Sequence, residues 1–169
     1  VCLMLCAMWR QAGGHARLAL MGQQPTFMEL ALAEARQAGD RGETPVGAVV
    51  VCGGVVLGAA GNRVREANDP TAHAEVLAIR AACEHVSRPR LDGADLHVTL
   101  EPCAMCAGTI AAAHIARLYY GAADPKGGAV DHGPHLFSQP TCYHRPEIYG
   151  GIDETRCAAL LKEFFAALR

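Results

Sequence analysis

Apolar residues at Phe27, Leu30, Ala31, Ala35 and Ala38 recur at helical spacing through residues 26–39, and Gly39 closes the run. The pattern then changes. Residues 46–61, "VGAVVVCGGVVLGAAG", form two apolar runs on either side of Cys52-Gly53-Gly54, which predicts a hairpin with glycines where φ must be positive. Asp69 and Pro70 next offer a capping side chain and a proline suited to a first helical position, predicting a helix that runs to about residue 84. "DLHVTL" (95–100) reads as a strand, Pro102 opens a helix through about residue 113, and "RLYYGA" (117–122) reads as a further strand. A long Gly-, Pro- and His-rich loop follows, of a length that in compact domains is usually functional. A short strand at 147–149 and an amphipathic helix with Leu160, Leu161, Phe164, Phe165 and Leu168 apolar complete the chain; one of the two phenylalanines faces the core and the other is free. A helix, a hairpin, then strands alternating with helices call for a mixed sheet with helices on both faces.

Composition narrows this only a little. A chain of 169 residues is one domain, long enough to bury a core without disulfides or a structural metal. Net charge is -2, so no whole-chain basic signature for nucleic acid exists, and any RNA binding rests on a local patch. Of eight cysteines, Cys52 and Cys83 lie in apolar runs and read as small core residues, Cys103 and Cys106 have metal-ligand or redox spacing, and the rest are scattered. That usage suits a reducing, cytoplasmic compartment. Residues 1–24 fit the rest poorly. "VCLMLCAMW" is too short to span a bilayer and follows no basic residue, so the segment reads as an extension outside a domain at 25–169, with Met21 a candidate start. No other segment is apolar for long enough to cross a membrane.

Chemistry concentrates at two predicted helix starts. Cys103 and Cys106, three apart, share a helix face, so both sulfurs reach one ion, and a helix N-terminus favours thiolate. His73 heads the other well-marked helix. If the two helix starts face each other, His73, Cys103 and Cys106 supply three ligands and leave a fourth position for water. Glu75, two residues past His73, leaves the helix in another direction and stays close without binding the ion. Bound zinc lowers the pKa of water from about 15.7 to about 7, and a nearby carboxylate then suffices as base. Other readings remain: a CxxC redox pair, a structural zinc site closed by another histidine, or a non-catalytic zinc-stabilised RNA-binding module. His132, His135 and His144 read as solvated loop histidines or phosphate contacts rather than a second metal site.

The joint signature H-x-E…P-C-x-x-C is that of the zinc nucleobase deaminases. With "TPVGAVVV", "GNR", "NDPTAHAEV", "VTLEPCAMCAG", "YYGAADPKGGAV", "HRPEIYGG" and "CAALLKEFF", the chain from about residue 26 onward resembles the bacterial tRNA-specific adenosine deaminases of the cytidine deaminase-like superfamily. The resemblance implies a three-layer α/β/α fold around a five-stranded mixed sheet, one zinc ion per subunit, a homodimer, and hydrolytic conversion of adenosine to inosine at the wobble position of a tRNA anticodon stem-loop. It implies Glu75 as proton shuttle, Asn62 holding the target nucleoside, and Pro45, Val46 and Leu100 as pocket wall. It also implies Asp124 and Lys126 near the RNA backbone and flanking nucleotides, and Arg145 with Phe164 and Phe165 near the stem-loop. The competing substrate is a free nucleobase, nucleoside or nucleotide, such as cytosine, cytidine or guanine, because the zinc signature serves both.

Overall fold

The computed structural model describes residues 25–168; the expected extension at 1–24 lies outside them. Helix α1 (Phe27–Asp40) is closed at its start by a reciprocal cap: the Glu29 amide donates to Thr26 Oγ1 at 3.2 Å and the Thr26 amide donates to the Glu29 carboxylate at 2.7 Å. It runs one residue past Gly39, and the chain turns away only at Gly42, where φ is +79°. Strands β1 (Gly47–Cys52) and β2 (Val55–Gly61) form the hairpin, with Gly53 and Gly54 at φ +58° and +82°, the two consecutive left-handed residues of a tight turn.

A short helix α2 (Val64–Ala67) precedes α3 (Ala74–Val86). The expectation that Asp69-Pro70 opens α3 is corrected here. Asp69 Oδ1 accepts from the Thr71 amide at 2.8 Å and its hydroxyl at 2.7 Å, which closes a local turn and uses up the capping side chain before the helix begins. Next come β3 (Asp95–Leu100), α4 (Ala104–Ala112), β4 (Arg117–Ala122), a 3₁₀ turn at Leu136–Ser138, β5 (Glu147–Tyr149) and α5 (Glu154–Ala167).

The five strands lie in the order β2-β1-β3-β4-β5. β1 pairs antiparallel with β2 and β3, while β3–β4 and β4–β5 are parallel, so the sheet is mixed as expected. The interior strand β1 is apolar on both faces, as a strand covered twice must be. Ala48 and Val50 pack with α3 and α4 residues such as Ile79 and Ile110; Val49 and Val51 pack with Met28 and Leu32 of α1 and Cys157 of α5. Three layers result. Gly58 lets β2 lie directly under α3: a Cβ there would overlap the Ala78 carbonyl. Phe164 is half-buried and Phe165 exposed. No helix among the described residues is long and apolar enough to cross a membrane.

Because β3 and β4 are parallel, β3 must cross over through α4 to reach β4. The carboxyl ends of β3 and β4 and the start of α4 thus meet at one edge of the sheet, and α3 brings its own N-terminus to the same place. That edge carries the site.

Candidate active site

His73 and Cys103 hold the same position in their helices. Each is the N-cap residue, with extended backbone (φ −73°, ψ 151° and φ −72°, ψ 174°), immediately before α3 and α4 respectively. Neither side chain caps its own helix. At α3, Asn62 from the end of β2 supplies an acceptor instead: its Oδ1 accepts from the Ala74 amide at 2.8 Å. One of the unpaired amides of a helix start is therefore satisfied from outside, and the His73 ring is left for other work. Cys106 sits one turn into α4, on the same face as Cys103.

His73 Nδ1 lies 3.8 Å from Cys103 Sγ and 3.5 Å from Cys106 Sγ, and the three ligand atoms all lie within 4.8 Å of one another. Zinc bonds of about 2.3 Å to sulfur and about 2.0–2.1 Å to nitrogen, at tetrahedral angles, require a nitrogen–sulfur edge of about 3.6 Å. The donor set therefore fits a tetrahedral zinc ion. No fourth histidine, cysteine or carboxylate joins the group among the described residues.

The electrostatics point the same way. Hydrogen bonds from Cys106 and from His73 hold the Cys103 thiol down at about 4. The same sulfur–sulfur bond, reinforced by burial, pushes Cys106 up. The bond to Cys103 raises His73 against the opposing effect of burial. Glu75 is buried beside them, 4% exposed, and burial pushes its carboxyl up from its ordinary value.

His73, Cys103 and Glu75 form the floor of a cavity of about 290 Å³. Val46 and Leu100 line it with apolar surface, and Asn62 and Asp124 line it with polar groups. The other expected residues stand elsewhere. Pro45 is fully buried rather than at the cavity surface. Lys126 is exposed and outside the lining; its amide and that of Gly127 donate to Asp124 Oδ1 at 3.1 and 3.0 Å. Arg145 is exposed on the long loop, where its guanidinium donates to the carbonyls of Cys142 and Gln139 at 3.4 and 3.3 Å. Of the loop histidines, His135 is exposed as expected, whereas His132, part-exposed, pairs with Glu101 at 2.7 Å and His144 Nε2 donates to the Ile115 carbonyl at 2.7 Å.

Two buried acids that the sequence reading passed over line the cavity, Glu43 and Glu101, each 2% exposed. Glu43 Oε1 accepts from the amides of Arg65 and Glu66, both at 2.8 Å, and so fixes α2. Glu101 binds the loop after β4. Burial pushes its carboxyl up, but amides of Asp124, Asp131 and His132 and the His132 ring hold it below its ordinary value. The one available signal was a carboxylate flanking an apolar strand, at the Leu100-Glu101-Pro102 junction; its partners lie more than twenty residues away and left no local mark.

Comparison with known proteins agrees with this geometry. The family model described as the cytidine and deoxycytidylate deaminase zinc-binding region matches residues 21–122. The tRNA-specific adenosine deaminase of Agrobacterium fabrum is 58% identical over 149 residues, covering 88% of this chain and 98% of that protein. A structure from work on A-to-I editing by tRNA:A34 deaminases at the wobble position of transfer RNA is 61% identical with a TM-score of 0.79, covering 80% of this chain and 98% of the other. Guanine deaminase from Bacillus subtilis is 39% identical with a TM-score of 0.57, over 61% of this chain and 66% of that one.

Proposed function

We infer the activity from one premise: the chain belongs to the cytidine and deoxycytidylate deaminase family through its zinc-binding region. It is a zinc-dependent deaminase that hydrolyses adenosine to inosine in tRNA, at the wobble position. The observation that carries the chemistry is the His73 Nδ1, Cys103 Sγ and Cys106 Sγ triangle at tetrahedral edge lengths, with Glu75 buried at its side.

These three residues would hold the zinc ion, which when bound supplies a water activated at neutral pH. The remaining steps fall to the chain. Glu75 would take one proton from water and pass it to the ring nitrogen as the oxygen adds to the amino-bearing carbon; it would then take the second proton from the hydroxyl so formed and pass it to the amino group, the carbon–nitrogen bond breaks, and ammonia leaves with water consumed. A carboxyl whose proton affinity is raised by burial suits a group that must both accept and donate. Asn62, with its Oδ1 engaged by Ala74, has its amide nitrogen left to donate to the bound nucleoside. Val46 and Leu100 exclude water around the base. The target nucleotide must be splayed out of its stack, which a loop permits at little cost, so the fitting partner is an anticodon stem-loop. Lys126 and Arg145, both exposed, would contact the RNA. The working form is a cytoplasmic homodimer.

The guanine deaminase likeness gives the competing substrate a concrete form. Incubating zinc-loaded protein with an adenosine-bearing stem-loop RNA, and separately with free guanine, separates the two. Inosine in the RNA is expected; turnover of guanine alone would remove the tRNA reading and leave the zinc chemistry standing.

A further inference from the structure

One buried side chain beside the metal-binding segment, that of Glu101, gathers hydrogen bonds from the loop after β4. Glu101 lies between β3 and Cys103. Its Oε1 accepts from the amides of Val130, Asp131 and His132 at 3.1, 2.9 and 3.0 Å. Its Oε2 accepts from the Asp124 amide at 3.0 Å and from the His132 ring at 2.7 Å. Both oxygens are therefore committed, and all but one of the donors are backbone amides of one loop. The carboxylate is 2% exposed.

The same loop rests on the ligand segment by its backbone. The Ala129 amide donates to the Pro102 carbonyl at 3.0 Å, and Gly128 forms an isolated antiparallel bridge with Cys103. Gly128 is required there, because a Cβ would overlap the Asp124 carbonyl and crowd the Glu101 carboxylate. Asp124, at the start of this loop, lines the cavity, and its own Oδ1 is spent on the amides of Lys126 and Gly127. Asp124 therefore shapes the wall through the backbone turn it closes, and the position of that turn is set by Glu101.

We propose that Glu101 is a positioning residue for the substrate wall, registering residues 124–132 against the Pro102-Cys103 segment so that the wall and the metal site keep a fixed separation. The part of this concerning substrate rests on the deaminase reading above; the part concerning the loop does not.

Glu101→Gln keeps the shape and Oε1 while replacing Oε2 by an amide that cannot accept from Asp124 or from a His132 ring N–H. In the zinc-loaded full chain, amides of 124–132 should exchange with deuterium about tenfold faster, with those of β3 unchanged and zinc content retained. On the stem-loop RNA, KM should rise about tenfold and kcat change less, as when binding geometry rather than proton transfer is lost. His132→Ala, which deletes only the ring bond, should shift exchange in the same loop by a smaller factor and serves if the first variant fails to fold. Loop exchange at the parent rate in either folded variant would overturn the proposal, as would a lowered melting temperature with KM unmoved. If the parent protein deaminates no RNA, the tRNA reading fails and the exchange measurement still decides whether Glu101 holds the loop.

Discussion

The floor and the walls of the cavity are built in opposite ways. At the floor, side chains at the ends of regular elements carry the proposed chemistry: His73 and Cys103 at two N-cap positions, Cys106 buried one turn on behind them, Glu75 in the first turn of α3. In the walls, part of the surface comes from the short helix α2 and the loop after β4, and buried carboxylates hold these in place: Glu43 for α2 and Glu101 for the loop. Asn62 joins the two, lining the wall while satisfying the amide at the head of α3. The difference separates two kinds of constraint. A metal and a proton relay need atoms fixed to fractions of an ångström, which rigid helix ends provide. A substrate wall needs a surface that can vary while its anchor stays, which loops on buried acids provide.

Three substitutions probe this division. The largest effect is expected for Cys106→Ala. Removing one of three ligands should reduce zinc content well below one per chain and bring deamination to background; elemental analysis beside an inosine assay reads both. Zinc retained at one per chain would show that Cys106 is not a ligand. Glu75→Gln should keep zinc but lower kcat by about 10²–10⁴, the range for a lost general acid–base. An unchanged rate would take Glu75 out of the mechanism and leave the floor a metal site only. Asn62→Ala should act on both regions at once. It should cost about 10–100-fold in kcat/KM through the lost substrate contact, and about 1–3 kcal/mol of stability from the unpaired Ala74 amide. A stability loss with normal kinetics would assign Asn62 to the fold alone.

The same division explains what could be read from the chain beforehand. The floor was legible because its residues stand in short motifs, "HAE" and "PCAMC", whose spacing maps onto helix geometry without knowledge of the rest. The sheet and its helices were legible because β1 carries no polar or charged residue along its length and α1 carries a periodic stripe. Where α3 begins was not, since Asp69-Pro70 carries a valid start signal that a local turn to Thr71 consumes. The walls were legible only by resemblance. Val46 and Leu100 reach the cavity, but Pro45 is buried inside a tight turn in which the Val46 amide donates to the Thr44 carbonyl at 2.8 Å, a turn the sequence did not signal. Glu43 and Glu101 escaped notice because all their partners but the His132 ring are backbone amides, which have no side-chain identity for a sequence pattern to show.

The account stands most directly on the number and kind of protein atoms around the metal. X-ray absorption at the zinc edge of the loaded protein should find two sulfurs at about 2.3 Å and two lighter atoms at about 2.0–2.1 Å, one of them exchangeable. In Glu75→Gln that first shell should be unchanged. Four protein donors with no exchangeable position, or a shell that changes when Glu75 is replaced, would contradict it.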